Sequence, residues 1–215
     1  MKKLLGFFVF AFFAVGALAE NNDRTMAFSI SPIAAIFGGV DVMYQMKVTD
    51  FMSVTVPGNF YYSWGKGSLV KFMAEKTGKF EQTKAPFDAA IGLGARFLLA
   101  KHGLSDTFYV EPRVYFGYEQ IGLRVGDYKI ESETMRLTPM LKFGWDWYYD
   151  SGFYISLGAG IGMHAYFNHK QDVPADLKKN WASRTILLGW FLGIPPEDKT
   201  FSLAAEGEFK LGFAF

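Results

Sequence analysis

The sequence predicts an all-β protein, an antiparallel up-and-down transmembrane β-barrel, with eight strands as the favoured count and nine or ten as alternatives. Three observations carry that expectation. Apolar and polar residues alternate with a period of two over unusually long segments. Short turns alternate with long polar connections along the chain. The N-terminus has the form of an export signal.

That signal begins with Lys2 and Lys3, continues through "LLGFFVFAFFAVGALA" and ends at Ala17-Leu18-Ala19, before the polar "ENNDR". A basic start, an apolar stretch and an A-x-A site mark a cleaved leader. The run is short for a membrane-spanning helix, which needs roughly 20 apolar residues. Residues 1–19 are therefore expected to be a signal peptide, 20–25 a short polar segment and 26–215 a single barrel domain. Without Lys2 and Lys3 the balance of 22 basic and 21 acidic residues becomes 20 and 21. A chain so close to neutral lacks the concentrated basic face that nucleic acid requires. It also lacks cysteine, which excludes disulfides, thiolate metal sites, a cysteine nucleophile and a lipid-modified N-terminal cysteine.

The strands follow in order. Ala27–Val48, taken as one strand bent at Gly38-Gly39, gives eight strands and puts both termini on the side of the long loops. Taken as a hairpin turn, Gly38-Gly39 gives nine, an odd number that single-chain bacterial barrels avoid. Met52–Tyr62 fits the same pattern less cleanly. Phe87–Leu99 sets Phe87, Ala89, Ile91, Leu93, Ala95, Phe97 and Leu99 against Asp88, Ala90, Gly92, Gly94, Arg96 and Leu98. Phe108–Tyr118 sets Phe108, Val110, Pro112, Val114 and Phe116 against Tyr109, Glu111, Arg113, Tyr115 and Gly117. In Leu137–Tyr149, Leu141, Phe143, Trp145 and Trp147 oppose Met140, Lys142, Gly144 and Asp146. Phe153–Tyr166 carries Gly158, Gly160 and Gly162 on one face, Ile186–Ile194 is a weaker candidate, and the chain ends in a strand from Phe201. Strands of this length exceed the usual 5–6 residues and suit a tilted bilayer crossing of roughly 9–11.

Short connections are expected at Thr49-Asp50, Lys101–Asp106, Tyr149–Gly152 and Ile194–Lys199. Long ones are expected at Gly65–Pro86, Glu119–Arg136 and Asn168–Ser183.

Three features place the polar face inside. It holds the glycines, including Gly92, Gly94, Gly158, Gly160 and Gly162, which in a narrow lumen make room for long charged chains on facing strands. It also carries charges of both signs in mid-strand: Arg96, Glu111, Arg113, Lys142, Asp146, Glu206, Glu208 and Lys210. Such charges can pair across a lumen, whereas unpaired and buried they would cost several kcal/mol. Third, aromatics including Trp64, Trp145, Trp147 and Tyr149 crowd the strand ends, as in the girdles of a membrane barrel. A soluble lipocalin-like barrel would be apolar inside and remains the alternative outside the membrane class.

The leader, the long alternating strands, "GFYISLGAGIGMHAY" and the terminal "EFKLGFAF" resemble the small outer-membrane β-barrels of the OmpA/OmpX/OmpW-type superfamily. The resemblance covers the whole mature chain and includes no catalytic motif. It implies a monomer in the bacterial outer membrane, in contact with outer-membrane lipids and lipopolysaccharide. It also implies that Phe213 and Phe215 form the C-terminal signal read by the outer-membrane insertion machinery.

Chemical motifs are sparse. A serine–histidine site needs its base within hydrogen-bond reach. Ser156 lies eight residues from His164, roughly 27 Å at about 3.4 Å per residue. That pair is not a dyad, though a serine on a neighbouring strand remains open. His102 sits in a short turn and His169 in a long loop, with no carboxylate at ligand spacing, so no metal site is expected. "GAGIG" lies within a strand and lacks the helix that a dinucleotide-binding turn requires, so no cofactor is expected. Lys66, Lys71, Lys76, Lys79 and Lys84 are read as a solvated loop, or else as a basic patch for lipopolysaccharide phosphates. Ser68–Thr77 could form a short helix there.

The expected role is a structural or surface-interaction barrel with a charge-paired, largely filled lumen, and not an enzyme. A narrow channel for small solutes and a lipid A- or phospholipid-modifying barrel enzyme are the other readings within the membrane class.

Overall fold

A computed structural model of the chain describes residues 24–36, 38–62, 80–99, 104–125, 128–172 and 201–215. The expected signal peptide, Trp64, His102, the helix at Ser68–Thr77, most of the lysine-rich loop and the segment Ile186–Ile194 lie outside them. The described residues form one closed antiparallel barrel of eight strands, each paired with its sequence neighbours and the first with the last. The strands are β1 Met26–Ile30, β2 Gly39–Thr49, β3 Met52–Tyr62 and β4 Phe80–Leu98. They continue with β5 Thr107–Val125, β6 Tyr128–Tyr148, β7 Phe153–Asp172 and β8 Phe201–Ala214.

The count agrees with the expectation, but the first strand does not. Ala27–Val48 is two antiparallel strands, with Met26 opposite Met46 and Ile30 opposite Val42. Between them stands a short helix, α1 (Pro32–Ile36). The local chemistry explains the break. Ser31 Oγ accepts a bond from Ala34 N–H at 3.4 Å, capping the helix start, and Pro32 fits its first position. Gly38, at φ 75°, takes the left-handed conformation that turns the chain back towards β2. The termini consequently share one end of the barrel with the tight turns Thr49–Met52 and Tyr149–Phe153, rather than the side of the long connections.

All three expected long loops are shorter than the polarity of the sequence suggests, and Gly65–Pro86 is already strand from Phe80, where β4 pairs with β5. β5 and β6 pair from Thr107↔Asp146 as far as Val125↔Tyr128, so most of Glu119–Arg136 is ladder. β7 likewise runs on to Asp172 through a register shift near Asn168, which has φ 51°. Polar residues pair their backbones as well as apolar ones do. Loss of apolar alternation therefore marks a change of surroundings and not the end of a strand.

Side-chain parity follows the expected assignment. Ile91, Leu93, Phe116, Leu141, Phe143, Leu157, Ile161 and Leu203 are exposed on the outside, while Arg96, Glu111, Lys142, Asp146 and Lys210 are fully buried inside. The interior is polar, which is the reverse of a lipocalin-like barrel. Aromatics gather at both ends of the outer face. Phe60, Phe87 and Tyr118 form a chain of ring contacts at 5.3 and 5.9 Å at the end far from the termini. At the other end Trp145 lies 6.4 Å from both Phe108 and Trp147, Phe153 packs on Phe213, and Tyr149 is exposed.

Candidate functional site: the lumen

The lumen is layered. At the tight-turn end Tyr148 and Tyr154 stack at 4.8 Å, and Tyr154 is buried with Ala27, Leu104 and Ala214. Above this apolar seal lies the ion-paired layer, and it contains all eight expected charges. Arg96 bridges Glu111 at 2.8 Å, Asp146 at 2.7 Å and Glu208 at 3.3 Å. Arg113 holds Glu111 at 2.6 Å and Glu208 at 3.2 Å. Lys142 pairs with Glu206 at 2.8 Å and with Glu208, and Lys210 reaches Glu208 at 4.0 Å. Glu208 is thus the hub, touched by all four cations.

Asp41 completes the layer through a 2.8 Å contact with Lys210, and the sequence reading did not include it. Its signal was present: Asp41, Met43 and Gln45 share one parity in β2, and Met43 and Gln45 are buried. The supposed bend at Gly38-Gly39 obscured it. The hydroxyl of Thr55, also unexpected, donates to Glu111.

The small face works differently from the expectation. Glycine does make room for charged chains at two positions. A Cβ at Gly94 would collide with Glu111, and one at Gly160 would lie 2.8 Å from Lys142 Cγ. At other positions glycine makes room for tyrosine. Tyr109 pairs in register with Gly144, which itself faces Gly158, and a Cβ on Gly158 would strike the Tyr109 hydroxyl. The Tyr109 ring then carries the Arg96 guanidinium 3.7 Å from its centroid. A Cβ at Gly92 would lie 2.8 Å from Tyr115, whereas one at Gly162 would meet the backbone of β6. Arg96, Tyr109 and the two glycines form a single stack. The sequence placed all of them on the inner face, but strand parity alone does not say which inner residues share a level.

The third layer lies towards the end with the long connections. Arg136 donates to Asp88 at 2.7 Å and to Glu119 at 2.8 Å. Beside this cluster is a cavity of about 240 Å³ lined by Asp41, Asn59, Tyr61, Thr138, His164 and Glu206, among others. His164 Nδ1 shares a 2.8 Å hydrogen bond with Thr138, and Ser202 is its cross-strand neighbour. The Ser202 hydroxyl bonds Tyr166 at 2.9 Å. Lys84, the described member of the lysine series, is paired with Glu131 at 3.2 Å and Glu133 at 3.1 Å. No group of three metal-ligating side chains occurs among the described residues.

Phe215 closes the chain beside β1, where its backbone N–H donates to Met26 at 2.8 Å. No known protein family, curated protein or solved structure matches this sequence.

Proposed function

We infer that this chain is an integral outer-membrane β-barrel with a charge-paired, largely filled lumen, acting as a structural or surface-interaction protein. One observation carries the reading: the barrel is inside out relative to a soluble one. Its exposed wall is a belt of Leu, Ile, Val and Phe with aromatics at both ends, while its fully enclosed residues include Arg96, Glu111, Lys142, Asp146 and Lys210. Water would penalise that belt at roughly 25 cal/mol per Å² of apolar surface, and lipid would not. The leader at residues 1–19 would deliver the chain for export, and Phe213 with Phe215 would be read during insertion.

The lower lumen supports a plug over a pore. A passage wide enough for water would expose Arg96, Glu111, Lys142 and Asp146, and all four have zero exposure.

Purification provides the first test. Without detergent the protein is expected to aggregate, and in detergent it should migrate faster on a gel before boiling than after. A soluble monomer without detergent would overturn the membrane reading. Planar-bilayer recording is expected to show no steady conductance above background, and a steady current abolished or altered by Glu111→Gln would instead establish a narrow channel.

A further inference from the structure

The upper cavity has no role in a plugged anchor, and the charges around it are arranged asymmetrically. Asp41 and Glu206 line it with 19% and 29% of their side chains exposed, whereas their partners Lys210 and Lys142 are almost fully buried and are not part of its lining. Each ion pair therefore turns its acid towards the space and its base away from it. Arg136 also lines the cavity, but its guanidinium is already committed to Asp88 and Glu119. Asn59 adds a buried Oδ1 with no hydrogen-bond partner among the described residues. Carboxylates, an unused acceptor and the tyrosine rings of Tyr61 and Tyr115 together favour a cation that carries N–H donors.

The wall beside the cavity is incomplete in sheet terms. β1 pairs with β8 only from Ala27↔Ala214 to Ile30↔Leu211. Beyond Ile30 the described chain leaves the sheet and α1 packs against β2 and β8 instead. The lining includes Ala204 and Glu206, which face the lumen, and also Ala205, Gly207 and Phe209, which alternate to the outer face, with Ile33 of α1 beside them. The cavity therefore wraps the edge of β8. A Cβ at Gly207 would have nothing within 4 Å.

We propose that this cavity binds the ammonium group of a small amphiphilic amine between Asp41 and Glu206, with the apolar part of the molecule leaving between α1 and β8. The volume suits a head group and a few carbons, below the roughly 300–1,000 Å³ of pockets for larger ligands. A carboxylate in the same place would meet two acids of its own sign. The head-group site belongs to the barrel interior, and only the exit of the tail into lipid rests on the membrane reading.

The test is calorimetry on the full chain in lipid nanodiscs, with empty discs as the blank. Three probes share one shape: 2-phenylethylamine, 2-phenylethanol and phenylacetate. The amine is expected to bind at a single saturable site, about tenfold or more tighter than either other probe, the worth of one charge-assisted hydrogen bond. Glu206→Gln should remove most of that preference. Ala204→Phe, which fills the space without altering a charge, should abolish binding and keeps the test decisive if Glu206→Gln does not fold. Folding of each variant is read from its heat-modifiable gel migration. The proposal is overturned by equal or tighter binding of the alcohol or the acid, by amine binding indifferent to both variants, or by no saturable heat. Solubility is read first, and a chain soluble without detergent is titrated with the same probes in buffer, so the head-group site and the membrane reading fail separately.

Discussion

Arg96 and Arg136 sit in the same lumen, each bonded to carboxylates from other strands, yet their surroundings differ. Around Arg96 the space is full: Tyr109 lies beneath it, Gly144 and Gly158 lie beneath Tyr109, and every neighbouring acid is held by a second cation or hydroxyl or by Arg96 itself. Around Arg136 the inner faces carry the small residues Ala90, Thr138 and Ala204 beside Tyr61, Tyr115, Met140 and His164, and a cavity remains among them. Small residues on a lumen face thus predict neither a plug nor a void by themselves. The outcome depends on whether a large side chain lies directly over them, as Tyr109 lies over Gly144 and Gly158, because a narrow barrel packs in layers.

Substitutions at the two arginines test that contrast most strongly. Arg96→Met should strand Asp146 in a buried site and take one cation each from Glu111 and Glu208, costing roughly 3–5 kcal/mol. The midpoint of thermal loss of the compact gel band reads this effect, and an unchanged midpoint would show that the lower layer is not tightly coupled. Gly158→Val comes next. It drives Tyr109 off its seat, and an overpacking cost of about 2–3 kcal/mol is expected by the same measurement. Arg136→Met should cost less, about 1–2 kcal/mol, since Arg136 itself borders a cavity that can admit water and its acids are not fully enclosed. If it costs as much as Arg96→Met, the difference between the halves is not one of packing. Lys47→Ala removes a turn-end pair whose acid, Asp50, is largely exposed, and should change stability by about 0–0.5 kcal/mol in urea titration.

How much of this was legible follows from what a period of two encodes. Parity places Arg96, Glu111, Lys142 and Glu208 on one face, because a single-residue slip would turn all of them outward. It does not encode height, which depends on how turns such as Thr49–Met52 set the register of neighbouring strands. That is why the eight charges could be named together while the seat of Tyr109 on Gly144 and Gly158 could not. At Ala27–Val48 the alternation continues on both sides of Ser31-Pro32, and the local cap and left-handed glycine outweighed it. At Glu119–Arg136 the polar composition has the look of a loop, although β5 and β6 remain paired there.

The short first strand gives the barrel a fastening rather than a full seam. Rows of backbone bonds along β4, β5, β6 and β7 join neighbours over most of their length, but the ring is closed by Ala27–Ile30 against Leu211–Ala214, with Thr25 and Met26 bonded to Phe215. Closure therefore waits for both ends of the chain to meet, and the same few rungs are where the circle parts first under load. Phe213 and Phe215 sit on that latch, so the residues expected to be read during insertion are also the ones that fasten the finished ring.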